Sequence, residues 1–417
     1  MDPANHIWHP YTRFSFLRDE TLPVVVSAEG SWLTLADGAR VFDGISSWWC
    51  VNLGHRRPEL VAALARQAGQ LDHSILGHLA HPPALELASR LAHLMPTPDR
   101  HVMFGSDGSA AVEASLKIAV QYFHNIGQPG RTGFVTLRDP YHGDTLGAVS
   151  VGYMEGFHRA FKPLLFPTWP ASVPGASDGG ESMEEVLRLR GNSIAAVIVE
   201  PLLQGTAGMR MHTPEALRRM AGLCREAGAL FICDEIATGF YRTGSRFAFE
   251  QAGVDPDIVL MGKGLTGGVF PLSAAVVRDD IYRTFTDIGD ADRTFWHGHT
   301  YTGHPIGCAV ALAALDVYDR VDALTLARRA AEIFREELAP LAQRPDVLDV
   351  RVLGMAAAVE LRDLDPARMA RLRRTCLQSG LYLRPLGSVV YLFPPLTTDE
   401  KDLRWACGIL RSAVNNS

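Results

Sequence analysis

Between about residues 100 and 280 the chain repeats one unit: a short run of unbroken apolar residues, then a segment with helical periodicity. The runs are "HVMF", "GFVTL", "AAVIVE", "ALFICDE" and "DIVLMG", and "SAAVEASLKIAVQYF" and "TPEALRRMAGLCREAG" are helices between them. A strand with one wet face alternates apolar and polar residues, whereas a strand apolar throughout must be covered on both faces. This stretch is therefore expected to fold as a large, mostly parallel sheet flanked by helices, an α/β architecture. After residue 320, "LARRAAEIFREELAPLAQ" reads as an amphipathic helix. "VLDVRVLGMAAAVEL" and "GSVVYLFPP" then supply strands with a helix between them. The N-terminal "VVVSAEGSWLTLADGARVFDG" reads as a hairpin completing the same smaller α+β lobe. The expected division is a large domain over 47–320 and a small domain built from 1–46 and 321–417, with a cleft between them. "PASVPGASDGG" (170–180) reads as a loop inside the large domain.

Composition narrows the functional classes. The formal net charge is −6, and lysine and arginine are dispersed rather than clustered. That argues against nucleic acid or an anionic membrane surface as partner. Six cysteines are scattered without a Cys-x-x-Cys pair, so they read as reduced thiols, with neither a disulfide frame nor a metal site expected. The N-terminus lacks the apolar core of a signal peptide, and no run approaches eighteen apolar residues, so a cytoplasmic protein is expected.

Ligands of open parallel sheets bind beyond the carboxyl ends of the strands. Asp234 and Glu235 follow "ALFIC", Glu200 follows "AAVIV", and Lys263 follows "DIVLM" by one glycine. Any one of them fits a helix cap or a loop equally well; together they place acids and a lysine on one rim. "FGSDGSAAVEASLKIA" (104–119) runs from a strand through a glycine-serine turn into a helix. Helix-terminal amides and a serine hydroxyl there suit a phosphate, and plain capping by Ser106, Asp107 or Ser109 suits the same turn. The stretch carries neither the lysine-serine/threonine ending of a P-loop nor the glycine pattern of a dinucleotide site. A lysine amine can join an aldehyde cofactor, and an aspartate can keep a pyridine nitrogen protonated. Adding a phosphate cradle points to pyridoxal 5'-phosphate. The glycines of "GKGLTGG" are expected to admit that cofactor close to the backbone and to let the lysine swing.

"LFICDEIATGFYRTG…DIVLMGKGLTGG" carries an acid, a spacing and a lysine context that resemble the fold-type I, class III aminotransferases over nearly the whole chain. "WHPYT", "DGISSWWCVNLGH", "YHGDTLGAVSVG", "EPLLQGTAGM" and "LRPLGSVVYLFPP" resemble the branch of that family that converts 8-amino-7-oxononanoate to 7,8-diaminononanoate in biotin biosynthesis. The resemblance implies a seven-stranded-type sheet and a homodimer with shared active sites. It implies that Lys263 bonds the cofactor and carries the proton, that Asp234 faces the pyridine nitrogen, and that Ile236 and Tyr141 cover the two ring faces. Gly108, Ser109, His142 and a second subunit's Thr300 complete the cofactor set. Tyr11, Trp48, Trp49, Asp144, Arg242, Gly298 and Tyr391 are implied on the substrate side, and Arg384 would pair with the distal carboxylate. An apolar chain ending in a carboxylate suits an aromatic wall and a planar cation. The implied donor is S-adenosylmethionine. His299 and the "HGHTY" context are shared with a lysine-using branch, so lysine stays open as donor. An ω-amino acid:pyruvate aminotransferase, an aminomutase and a pyridoxal-sensing regulator are the rival readings.

Overall fold

The computed structural model describes residues 6–20, 22–176, 178–287, 292–362 and 365–416. Seven strands form its central sheet: β1 (Arg100–Gly105), β2 (Gly133–Leu137), β3 (Trp169–Ala171), β4 (Ile194–Val199), β5 (Leu230–Asp234), β6 (Ile258–Met261) and β7 (Ser273–Arg278). Their order across the sheet is β1-β7-β6-β5-β4-β2-β3. The pairs among β2 to β6 are parallel, and β7 runs antiparallel to both β6 and β1.

The unbroken apolar runs are explained by two cores. In β6, Ile258 and Leu260 pack with the helix Gly108–Asn125 on one face, while Val259 and Met261 join the cluster on the other. Because side chains of a strand alternate in direction, both sets of positions must be apolar. Each such side chain, fully buried, stabilises the fold by roughly 1.5–3 kcal/mol.

Two strands lie outside the five apolar runs. β7 is as buried as its parallel neighbours, so burial alone does not betray its reversed direction. β3 carries Pro170, which has no N–H to donate, and it lies at the edge of the sheet, where one side of the strand needs no partner. The loop expected over 170–180 therefore starts only after Ala171.

The expected N-terminal hairpin is a three-stranded meander, Val25–Glu29, Trp32–Leu35 and Arg40–Asp43, to which Leu381–Tyr382 adds in parallel. The extra strand follows from the turn at Asp37 and Gly38: Asp37 Oδ1 accepts from Ala39 N at 3.0 Å, and Gly38 takes φ 86°. The two ends of the chain thus share one sheet. A second antiparallel sheet joins Val347–Leu353, Ala356–Leu361 and Val389–Leu392. Among the described residues no helix is long and apolar enough to cross a membrane.

Candidate active site

The carboxyl ends of β4, β5 and β6 open on one rim, and the polar residues that follow them converge there. Lys263 begins a 3-10 turn, Lys263–Thr266, straight after β6. Its own φ is 40°, a left-handed value that costs a non-glycine residue energy and is common at functional sites. Burial pushes the ammonium below its ordinary pKa, with Asp234, Glu200 and Cys50 pulling the other way. A lowered pKa favours the neutral, nucleophilic amine. Nζ lies 5.1 Å from the centre of the Trp49 ring.

The glycines around this lysine act differently from the sequence expectation. A Cβ at Gly264 would lie 2.4 Å from Asn52 Nδ2 and 3.1 Å from Phe240 Cβ. At Gly267, where φ is 59°, it would lie 2.8 Å from Leu60 Cδ1. They let the protein's own elements close beneath the turn, and Tyr318 donates to Gly264 O at 2.7 Å from the same side. Gly262 is the one beside the site, its missing Cβ 3.3 Å from Ile236.

Asp234 ends β5 and is 4% exposed. Its Oδ2 bonds His142 Nδ1 at 2.7 Å, and its Oδ1 accepts from Ile236 N at 3.1 Å. Glu200, next along the rim, accepts from Tyr141 N at 3.1 Å and Gly205 N at 3.0 Å. Burial raises its pKa to about 7, against the pull of His142 and with the push of Asp234. At the start of helix Gly108–Asn125, Asp107 is the cap, accepting from Ala110 N at 3.0 Å. The first backbone bond of the helix runs from Ala111 N to Asp107 O. Gly108 and Ser109 thus supply the amides that a helix leaves open at its N-terminus.

These groups surround two adjoining cavities. The inner one, about 260 Å³, is lined by Asp107, Gly108, Ser109, Tyr141, His142, Gly143, Glu200, Asp234, Ile236, Ala237, Lys263 and Trp49. The outer one, about 470 Å³, is lined by Tyr11, Trp48, Trp49, Tyr141, Asp144, Phe157, Thr206, Lys263, Arg384 and Tyr391, with Pro10 and the 385–387 turn. Trp49, Tyr141 and Lys263 line both, so the lysine stands at the junction. In the outer chamber the Tyr11 hydroxyl donates to Asp144 Oδ1 and the Tyr141 hydroxyl to Asp144 Oδ2 at 3.0 Å. Burial first, and then Asp144, raises the pKa of Tyr11 to about 12 and that of Tyr141 further. The Arg384 guanidinium lies 4.2 Å from the centre of the Trp48 ring and donates to Tyr11 O at 2.9 Å. Among the described residues Arg384 has no carboxylate partner. Trp49 Nε1 donates to the Tyr391 hydroxyl at 3.1 Å.

Fifteen of the residues singled out from the sequence thus line one or both of the chambers: Lys263, Asp234, Glu200, Tyr141, Asp107, Gly108, Ser109, His142 and Ile236 with Tyr11, Trp48, Trp49, Asp144, Arg384 and Tyr391. Arg242 does not. It is 1% exposed, bonded to Asn52 Oδ1 at 2.9 Å and to the Pro394 carbonyl, with its guanidinium 4.3 Å from the centre of the Phe393 ring. Burial lowers its pKa to about 10. It fastens the segment after Leu392 behind the site rather than facing substrate. Gly298 and Thr300 line neither chamber of their own chain. Their segment projects outward, with Trp296 81% and Tyr301 58% exposed. His299 stays within that turn, its Nδ1 accepting from Tyr301 N at 3.2 Å. Thr206 and Phe157 were not foreseen: one sits in a glycine-rich loop, the other in a four-residue helix, and neither leaves a periodic signal.

An amine at the mouth of a chamber, a strand-end carboxylate within it and helix amides at its floor fit a pyridoxal phosphate. A Cβ on Gly108 would lie 3.0 Å from Ile236 Cδ1, so the glycine keeps the floor open beside the flat aliphatic wall. Fold and site therefore define a pyridoxal-phosphate enzyme of the aspartate-and-lysine type. The Aminotransferase class-III profile matches residues 16–414, and the chain belongs to that family, whose members work with pyridoxal phosphate. It is 42% identical to the adenosylmethionine-8-amino-7-oxononanoate aminotransferase of Synechococcus elongatus, the match spanning 97% of each chain. The solved structure of the Methanocaldococcus jannaschii protein of that name is 35% identical, with a TM-score of 0.93 over 99% of this chain and 97% of that one. An amine transaminase from an uncultivated Pseudomonas species, solved with pyridoxal phosphate bound, is 32% identical with a TM-score of 0.92 over 99% of each chain.

Proposed function

We propose that this aminotransferase converts 8-amino-7-oxononanoate to 7,8-diaminononanoate, the biotin-pathway reaction, with S-adenosylmethionine as amino donor. The observation that carries the reading is Arg384, a cation on the Trp48 face of the outer chamber with no carboxylate partner among the described residues. An apolar oxo acid reaching along the Trp48–Trp49 wall would present its ketone near Lys263 and its carboxylate to that guanidinium. The relatives that bear the reaction's name match over the same full length.

Bound pyridoxal phosphate supplies the aldehyde that takes up the amino group and the ring that withdraws electrons. Lys263 would hold it and, as a neutral amine, would take up and return the proton of the carbon that carries the amino group. Asp234, held by His142, would keep a positive charge on the ring nitrogen. Gly108 and Ser109 would bind the phosphate, Ile236 and Tyr141 would cover the ring faces, and the chambers' aromatic walls would exclude water. The sulfonium of the donor meets the faces of Tyr11, Trp48 and Trp49. Lysine, cationic at its far end, fits the same faces. Thr300 and Gly298 from a second copy complete the site, so the working form is a cytoplasmic homodimer. The large unit at 47–320 holds the cofactor, and 1–46 with 321–417 closes over it.

The test is conversion of 8-amino-7-oxononanoate with S-adenosylmethionine, lysine, alanine and β-alanine offered separately. Turnover with S-adenosylmethionine supports the reading, and turnover with lysine alone keeps the acceptor and replaces the donor. The similarity to an amine transaminase favours a second reading, an ω-amino acid:pyruvate aminotransferase. Turnover of β-alanine with pyruvate and none of the oxononanoate would establish it.

A further inference from the structure

Ser46, Ser47, Trp48 and Trp49 have φ values of 50°, 46°, 72° and 72°. With ψ of 55° at Ser47 and 43° at Trp48, this is a turn of left-handed helix made without a single glycine. L-residues avoid that conformation because Cβ crowds the next carbonyl, and they visit it one at a time. Four in a row persist only where the surroundings over-determine them.

Chief among the surroundings here is one carboxylate, which takes two bonds from Ser47. Asp43 is fully buried and lies outside both chambers. Its Oδ1 accepts from Ser47 N at 2.9 Å, and its Oδ2 accepts from Ser47 Oγ at 2.7 Å. His55 Nε2 meets the same Oδ2 at 2.8 Å. Ser46 Oγ ties the start of the turn to Phe393 O at 2.7 Å. The turn sends two consecutive tryptophans to two different places. Trp48 goes under Arg384 and edge-on to Tyr11, while Trp49 goes to Lys263 and Tyr391. Gly205 leaves the room Trp49 needs, since a Cβ there would lie 2.9 Å from its ring.

We propose that Asp43 is a positioning residue: by pinning the left-handed turn Ser46–Trp49 it fixes how far the carboxylate-recognising end of the cleft stands from Lys263, and so sets the chain length of the accepted oxo acid. The inference rests on the functional reading above. Asp43 touches no substrate; it acts through the two indoles.

The experiment compares Asp43→Asn with the unmodified holoenzyme on oxo acids that differ in the number of methylenes between ketone and carboxylate. Asparagine keeps the volume and an acceptor for Ser47 N, but its amide nitrogen cannot accept from Ser47 Oγ and His55. The visible absorbance of the holoenzyme should be retained and kcat should hold within about threefold. KM for the preferred acid should rise about tenfold and the length preference should flatten. Adding Ser47→Gly should recover much of the preference, because glycine takes φ 46° without strain. If Asp43→Asn does not fold, His55→Gln removes one bond to the same oxygen and should show a smaller flattening. An unchanged length preference, a loss in kcat alone, or no recovery with Ser47→Gly would overturn the proposal. If the unmodified enzyme does not turn over 8-amino-7-oxononanoate, the functional reading falls by itself. The length preference among the oxo acids it does aminate still reads the turn.

Discussion

At the scale of single residues the site works by opposing burial with charge. Burial lowers the pKa of the Lys263 ammonium, while Asp234 and Glu200 pull it back up. Lys263→Ala should abolish turnover and the visible absorbance of the holoenzyme while the protein stays folded, because no core packing depends on the ammonium. Spectroscopy and a thermal melt check both halves. Asp234→Asn keeps volume and removes the charge opposite the ring nitrogen. Activity should fall on the order of a hundredfold while cofactor remains bound, and single-turnover rates measure it. A normal rate would remove Asp234 from the mechanism. Arg242 shows the limit of reading single residues. The family resemblance implies a substrate contact for it, but only the packing of Asn52 and the Pro394 carbonyl against it reveals a fastening role.

At the scale of elements, the turns after β5 and β6 hold the chemistry in place. Glu235, fully buried, accepts from Thr238 Oγ1 at 2.6 Å and Phe249 N at 2.9 Å. Burial lifts its pKa to about 8 against those bonds. A carboxyl whose folded pKa is raised binds its proton more tightly folded than unfolded. Its contribution to stability is therefore full below the unfolded value and fades as pH rises toward 8. Glu235→Gln should flatten the fall in melting temperature between about pH 5 and pH 8, where this group is protonated in the fold and not in the unfolded chain. Melting curves across that range decide it. In the turn after β6, Gly264→Ala would push Asn52 off Arg242 Nε and crowd Phe240. A cost of about 1–3 kcal/mol and a lower melting temperature are expected, as for other overpacked interiors. A neutral alanine would mean that Asn52 can move aside.

For the whole molecule, the inner chamber of one chain is lined by the lysine, the aspartate and the first residues of the helix, while Gly298 and Thr300 line neither chamber. If a second copy brings Thr300 to the phosphate, activity should fall on dilution in step with dimer dissociation. Thr300→Ala should weaken cofactor retention by roughly the 1.5–3 kcal/mol of a hydrogen bond to a charged group. Sedimentation and activity followed over the same concentrations test this. An active monomer would exclude it.

The sequence by itself determined the buried parallel strands, because unbroken apolar runs have no other stable home. It also determined that Asp234, Glu200 and Lys263 share a rim, since residues following parallel strands emerge on one side. Its motifs determined the family. Tertiary structure alone decided the reversed direction of β7, whose composition matches its neighbours, and the third N-terminal strand. It also decided what the glycines around Lys263 are for. They make room for Asn52, Leu60 and Phe240, residues far away along the chain, and no local pattern encodes a contact with a distant side chain. The left-handed turn at Ser46–Trp49 has the same origin. Its residues prefer other conformations when alone, at a cost of roughly 1–2 kcal/mol each; the local bonds from Ser47 to Asp43 oppose that preference, and long-range bonds to Phe393 and Tyr391 complete the reversal.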